Sequence, residues 1–189
     1  MDKSPHTSGF VSVNGINLHY LDWGRSDEVL LFLAGLGCNA HNFDDFAPRF
    51  VDKFHVMALT RRGHGESDHP ETGYDIDTLT EDVRQFLDTV RIKKVILVGH
   101  SMAGVELSHF SALYPERVIK LIYLDAAYDR SSASYKNMVE KSPLRLIQAP
   151  GLDVDYYSEE EYFVAMKRVF RILRQFGQKR WKTNVDTRS

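Results

Sequence analysis

A serine stands where a strand-like run gives way to a helix-like one. Residues 95–98 are continuously apolar, Ser101 follows after a glycine and a histidine, and residues 102–113 have helical spacing. So tight a turn needs small residues two positions before and two after the serine, and these are Gly99 and Ala103. We therefore predict a nucleophile elbow that exposes the Ser101 hydroxyl for attack on an electrophilic carbon, once a base takes its proton.

A second glycine-containing segment follows another apolar run. Residues 29–33 lead directly into Ala34-Gly35-Leu36-Gly37, where missing side chains would let backbone approach a ligand. Two N–H groups aimed at a developing negative charge make an oxyanion hole, and we predict the N–H groups of Leu36 and Met102 for that role. The alternative is an ordinary glycine turn between a strand and a helix.

The order of the predicted strands and helices that position these residues indicates an α/β fold. From residue 10 onward, short β-rich runs alternate with longer helix-period stretches, which is typical of a mostly parallel sheet covered by helices. Asn14-Gly15 predicts a hairpin between residues 10–13 and 16–23, because both tolerate positive φ. The remaining predicted strands are residues 29–33, 56–59, 95–98 and 118–124.

Helical spacing occurs in three stretches of this region. The clearest is residues 78–90, with Asp77 as the predicted N-cap. The second is residues 102–113, which Pro115 ends, and a weaker one spans residues 40–50 with Pro48 inside it.

The chain changes character after residue 125. A capping box of Ser158 and Glu161 followed by an apolar stripe predicts an amphipathic helix to residue 176. Residues 167–189 hold 8 Lys or Arg and 1 acid. We interpret these cations chiefly as complementing the negative end of the helix dipole, with an anionic surface or partner as the alternative.

Together these motifs resemble the α/β-hydrolase family, in its esterase, lipase and epoxide-hydrolase-like branch. The resemblance lies in the Asn14-Gly15 hairpin, the turn at 34–37, Arg-Arg-Gly-His-Gly-Glu-Ser-Asp at 61–68, the elbow at 99–104 and Tyr-Pro-Glu-Arg-Val at 114–118. It implies an eight-stranded, mainly parallel sheet, a Ser-His-acid triad and a helical cap after the sixth strand. We therefore expect residues 1–127 to be an incomplete hydrolase core and residues 128–189 a cap segment with a basic tail.

The triad partners are the main departure from this family. Its catalytic histidine follows the eighth strand, whereas the last of the eight histidines here is His109. We expect the base to lie outside these residues, since strand alternation should turn His100 away from Ser101. Asp125, at the end of the sixth predicted strand, is a candidate acid that could instead merely cap the strand.

The resemblance implies a serine hydrolase of carboxylic esters or related acyl substrates, with an acyl-enzyme at Ser101. Serine rather than aspartate at the elbow argues against the dehalogenase and epoxide-hydrolase chemistry of the same family, which uses a carboxylate nucleophile. The alternative hypothesis is a non-catalytic binding module, or an inactive fragment that lacks the triad histidine.

Composition excludes several other classes. The 24 basic and 26 acidic residues leave a net charge of −2, and no nucleic-acid partner is expected. The single Cys38 forms no internal disulfide, and no metal or cofactor motif is visible. Without an evident signal peptide or membrane span, we expect a cytoplasmic protein.

Residues 118–124 would form an exposed apolar edge, which predicts self-association and a chain of marginal stability.

Overall fold

Six strands form one sheet in the computed structural model, which describes residues 6–24 and 26–126. Their order across the sheet is β1-β2-β4-β3-β5-β6. Three of the neighbouring pairs are parallel and two are antiparallel, so the predicted mostly parallel α/β sheet with an N-terminal hairpin is confirmed. The strands are β1 (Thr7–Val13), β2 (Ile16–Asp22), β3 (Val29–Leu33), β4 (His55–Leu59), β5 (Val95–His100) and β6 (Val118–Leu124).

The hairpin forms because its two loop residues adopt positive φ. Asn14 has a φ of 46° and Gly15 a φ of 78°, as a type I′ turn requires. Val13 therefore pairs with Ile16, and β2 continues antiparallel into β4. This places the N-terminal hairpin beside the parallel strands on one side of the sheet.

The parallel strands bring their carboxyl ends to one edge. β3 is buried along its whole length and pairs with β4 on one side and β5 on the other. In this register Leu33 lies beside Gly99, and His100 lies beside Leu124 of β6. The turn after β3 and the turn after β5 must consequently meet, as their sequences predicted.

The two α-helices pack on one face of the sheet. Helix α1 spans Ile76–Thr89 and α2 spans Ala103–Leu113. Phe86 of α1 and both Leu107 and Phe110 of α2 lie in the core cluster on this face. The predicted N-cap of α1, Asp77, is wrong by two residues, because the Asp75 carboxylate accepts the Thr78 N–H and starts the helix earlier.

The other face is covered by short 3-10 helices. In place of one helix over residues 40–50 there are two, Ala40–Phe43 and Ala47–Phe50. Pro48, which cannot donate a backbone hydrogen bond, lies in the second of them. Phe43 packs against Phe32 of β3 with ring centroids 4.7 Å apart, so these turns complete the second core cluster.

Several predictions lie at or beyond the limit of the described residues. The amphipathic helix at 158–176 and the cap segment at 128–189 fall outside them. Within the described part of the chain, β6 is an outer strand whose Ile119 is 43% exposed, and self-association through it stays a prediction. No helix in residues 6–24 or 26–126 is long and apolar enough to cross a membrane.

Candidate active site

Ser101 occupies a strained turn between β5 and α2. Its φ of 54° is in the left-handed region, which disfavours residues with a side chain by about 1–2 kcal/mol. Two backbone hydrogen bonds hold it there: the Ser101 N–H donates to the Leu124 carbonyl at 3.2 Å, and the Gly104 N–H donates to the Ser101 carbonyl at 3.1 Å. The predicted strand–turn–helix geometry is present, and strain of this kind is concentrated at functional sites.

The glycines around the elbow are required by close packing. A Cβ on Gly99 would lie 2.7 Å from Leu107 Cδ1 and 3.1 Å from the Ala103 backbone carbon. A Cβ on Gly104 would lie 2.2 Å from the carbonyl oxygen of Ala126. The sequence indicated the need for Gly99, but not the contact of Gly104 with the segment after β6.

The glycine turn after β3 lies directly against the elbow. A Cβ on Gly35 would lie 3.1 Å from Ser101 Cβ and 3.0 Å from His100 Nδ1. Leu36 is the next residue, and its side chain is 71% exposed. Within residues 6–24 and 26–126, the N–H groups of Leu36 and Met102 donate to no protein acceptor. Both N–H groups follow residues that meet at the elbow, and their role as oxyanion donors stays a prediction.

A buried ion pair lies behind these turns. Arg61 and Glu106 side chains are 7% and 3% exposed. Arg61 Nη2 donates a 2.6 Å hydrogen bond to the Ala34 carbonyl, at the start of the glycine turn. Burial raises the pKa of the Glu106 carboxyl to about 7, although the Arg61 charge counteracts part of that rise.

The described histidines other than His100 each have a polar partner that is not the candidate nucleophile. His109 lies 2.9 Å from Thr80 Oγ1, and the His64 ring donates to the Arg62 carbonyl at 2.9 Å. Burial lowers the pKa of His64, which favours its neutral form. His100 is exposed, and its ring lies against Gly35, the glycine that Ser101 also contacts. The alternation of side chains along β5 therefore does not turn His100 fully away from Ser101, as the sequence had led us to expect. Across the described residues, no histidine is hydrogen-bonded to Ser101 Oγ.

The candidate acid Asp125 directly follows β6, the strand next to the elbow. It is exposed and has a φ of 49°, so it shares the left-handed conformation of Ser101. The Leu124 carbonyl just before it accepts the Ser101 N–H. Asp125 therefore lies at the same sheet edge as the elbow, and its role as an acid stays a prediction.

A cluster that sequence spacing did not reveal lies nearer the hairpin. His19 of β2, His41 of the first 3-10 helix and Glu66 of the loop after β4 have nitrogen and oxygen atoms all within 4.8 Å of one another. These residues are far apart in the chain and match no ligand motif. The tertiary fold brings them together, because β2 pairs with β4 and the first 3-10 helix packs against both strands.

Comparison with known proteins agrees with this architecture. A family model described as alpha/beta hydrolase fold matches residues 28–156, more than half of the chain. The chain belongs to the α/β-hydrolase fold family. The match includes the glycine turn at 34–37, residues 61–68, the elbow at 99–104 and residues 114–118, which were grounds for the resemblance, and it begins after the Asn14-Gly15 hairpin.

The curated relatives of this chain are named after several different activities. The chain is 34% identical over 116 residues to a non-heme chloroperoxidase of Streptomyces lividans, covering 60% of this chain and 42% of that protein. It is 33% identical over 115 residues to a 2-(acetamidomethylene)succinate hydrolase of Mesorhizobium japonicum, covering 61% and 41%. It is 32% identical to epoxide hydrolase 1 of Caenorhabditis elegans, covering 61% and 29%. The chain thus spans less than half the length of these relatives.

Solved structures show the same fold. The crystal structure of E-2-(acetamidomethylene)succinate hydrolase has a TM-score of 0.66 and 27% identity, over 76% of this chain and 52% of that one. Epoxide hydrolase A of Mycobacterium thermoresistibile has a TM-score of 0.64 and 27% identity, over 77% and 50%. The expected α/β-hydrolase fold is confirmed.

Proposed function

We propose that these residues belong to a hydrolase of carboxylic esters or related acyl substrates that forms an acyl-enzyme at Ser101. The observation that carries this proposal is the left-handed Ser101, with a φ of 54°, packed against Gly35 of the glycine turn. This contact supports the proposal because the Leu36 and Met102 N–H groups follow the two residues that meet, Gly35 and Ser101. That combination of groups suits acyl transfer.

The proposed reaction has two steps. In the first, Ser101 Oγ bonds to the substrate carbonyl carbon while a base takes the hydroxyl proton, and the Leu36 and Met102 N–H groups stabilise the oxyanion. The bond to the leaving alcohol then breaks, and the alcohol departs with that proton. In the second step water attacks the acyl-enzyme by the same route, releasing the carboxylic acid and restoring the serine.

The identity of the elbow residue favours ester hydrolysis over epoxide opening. The chain has similarity to both hydrolases and epoxide hydrolases. Epoxide hydrolysis in this family uses a carboxylate nucleophile, whereas this elbow carries Ser101. A serine suits attack on an acyl carbon because its ester is readily hydrolysed by water.

The proposal assigns the remaining groups as follows. A histidine outside these residues acts as base and then as acid, and Asp125 is the candidate to orient it. Residues 128–189, outside the described part of the chain, are proposed to be the cap segment of this hydrolase. These assignments concern the longer protein, since the chain spans 42% or less of the curated relatives named above.

Labelling with a fluorophosphonate tests whether Ser101 is activated. The purified 189-residue chain is incubated with the probe and its intact mass is measured, beside Ser101→Ala and Ser108→Ala. Ser108 is the matched control because its Oγ is already hydrogen-bonded to the Gly104 carbonyl at 2.9 Å. Because the proposed base lies outside these residues, we expect the 189-residue chain to take the adduct only slowly and a longer protein that supplies the histidine to take one adduct quickly. Ser101→Ala should take none in either form, and Ser108→Ala should match wild type. A folded longer protein that takes no adduct would contradict the proposal, and fast labelling of the 189-residue chain would contradict a base outside it.

The second candidate function is a non-catalytic binding module. It is favoured by the finding that no described histidine hydrogen-bonds to Ser101 Oγ. On this hypothesis short acyl esters bind without turnover, and Ser101→Ala leaves their affinity unchanged. Ligand-detected NMR with a slowly hydrolysed ester distinguishes the two functions, because only the hydrolase releases the free acid.

A further inference from the structure

Two histidines and a carboxylate converge on one point near the hairpin. His19 Nδ1 lies 3.4 Å from Glu66 Oε2, and His41 Nε2 lies 3.9 Å from Glu66 Oε1. Both separations exceed the usual 2.7–3.2 Å of an N–H···O hydrogen bond. Two ligands of a tetrahedral ion with bonds of about 2.0–2.1 Å lie about 3.3 Å apart. The His19–Glu66 separation is close to that value, and the His41–Glu66 separation is about 0.6 Å longer.

The two imidazole rings lie at a spacing that one ion could bridge. They are stacked, with centroids 5.7 Å apart and planes that differ by 22°. An ion bound in the plane of each ring is about 3 Å from each centroid, so two ligating rings have centroids about 5–6 Å apart. The spacing fits a shared ion, and the half-exposed His41 ring has to turn for its nitrogen to face it.

His41 is oriented by a second carboxylate. Its Nδ1 lies 2.9 Å from Asp44 Oδ2, while its Nε2 is the nitrogen nearest Glu66. A ligating histidine in a metalloprotein commonly donates its other ring N–H to a carboxylate, which fixes the tautomer and makes the ligand more basic. Asp44 meets that requirement for His41.

His19 has a hydroxyl partner at each ring nitrogen. Its Nδ1 lies 3.0 Å from Thr60 Oγ1, which also accepts the Ala40 N–H at 3.1 Å. Its Nε2 lies 2.9 Å from Ser8 Oγ.

We propose that His19, His41 and Glu66 form a binding site for one divalent ion of the zinc class, with Asp44 as the residue that positions His41. Two imidazole nitrogens and one carboxylate oxygen favour Zn²⁺, Co²⁺ or Ni²⁺ over Mg²⁺ and Ca²⁺, which prefer oxygen ligands alone. On binding, the ion replaces Thr60 as the partner of His19 Nδ1. Three protein ligands leave a further coordination position for water.

A metal titration tests this site independently of hydrolase activity. The untagged full chain is stripped with EDTA, desalted and titrated with Zn²⁺ against a chromophoric chelator, and Co²⁺ absorption reports the coordination geometry. We expect one ion per chain. Glu66→Gln and His41→Gln should each weaken binding at least about 100-fold, and Asp44→Asn about 10–100-fold.

Matched controls separate a built site from general surface binding. His55→Gln removes a histidine that lies 2.9 Å from Asp22 Oδ1, and Glu71→Gln removes an exposed carboxylate. Neither should change the affinity. The Glu66 and His41 side chains are 44% and 34% exposed, so their substitution leaves the core intact, which circular dichroism verifies.

Three outcomes would overturn the assignment. The first is no stoichiometric binding, and the second is an affinity that Glu66→Gln leaves unchanged. The third is a loss with His6→Gln and Asp44→Asn but not with Glu66→Gln, which would move the ion to the neighbouring group of His6, His41 and Asp44. Fluorophosphonate labelling of Ser101 has no bearing on any of them.

Discussion

Arg61 Nε lies 3.0 Å from Glu106 Oε1, and both side chains are almost completely buried. Because Arg61 also donates to the Ala34 carbonyl, it connects the glycine turn with the first turn of α2. The two segments that would supply the oxyanion donors are thus joined through one guanidinium group.

Glu106 should make the stability of the chain depend on pH. Burial raises the pKa of its carboxyl from 4.5 to about 7. Since the folded-state pKa is the higher one, the contribution of the protonated carboxyl is complete below about pH 4.5 and is lost as the pH rises through about 7. We expect the free energy of unfolding to fall between about pH 4.5 and 7, by at most about 3 kcal/mol. Urea unfolding at several pH values measures it.

The matched variant for this prediction is Glu106→Gln, which keeps the shape of the protonated carboxyl. In this variant the free energy of unfolding should depend much less on pH. Glu116→Gln, at an exposed position, should keep the pH dependence of the wild type. The prediction fails if the wild type and Glu106→Gln have parallel pH profiles.

Backbone strain at Ser101 should be measurable as stability. Glycine adopts the observed φ of 54° without strain, whereas alanine retains the strain. Removing the backbone strain should stabilise the glycine variant by about 1–2 kcal/mol, but glycine loses more conformational entropy on folding than alanine does. We therefore expect Ser101→Gly to be about 0.5–1 kcal/mol more stable than Ser101→Ala. Chemical unfolding of both variants is the measurement, and equal midpoints would argue against the strain.

Gly104 should not tolerate a side chain. Its Cβ would lie 2.2 Å from the Ala126 carbonyl oxygen, so α2 and the end of β6 must separate in Gly104→Ala. We expect a loss of about 1–3 kcal/mol or more. Gly24→Ala is the control, because its Cβ meets Val51 at 3.7 Å, an ordinary contact. Thermal unfolding of both variants distinguishes them, and similar transitions would refute the close approach.

Self-association of this chain should depend on the outer strand β6. Ile119→Lys places a charge on that strand, and charges of this kind oppose edge-to-edge pairing. We expect the weight-average mass in sedimentation experiments to rise with concentration for wild type and much less for Ile119→Lys. Leu113→Lys, at a 51% exposed position on α2, is the control. A wild type that stays monomeric at every concentration would exclude the association.

Local chemistry explains why much of the fold could be predicted. Asn14-Gly15 specified the hairpin, and uninterrupted apolar runs marked the strands that are buried on both faces. The small residues around Ser101 indicated the elbow, since its geometry depends on immediate neighbours in the chain. Each of these signals acts within a few residues of the feature it specifies.

The tertiary structure decided what depends on distant partners. The N-cap at Asp75, the division of residues 40–50 into two short helices, and the contact of Gly104 with Ala126 were not predicted. The Arg61–Glu106 pair and the cluster of His19, His41 and Glu66 likewise required the strand order. A sequence specifies local backbone preferences, but which side chains meet across elements follows only when hydrophobic packing fixes the order and register of the strands.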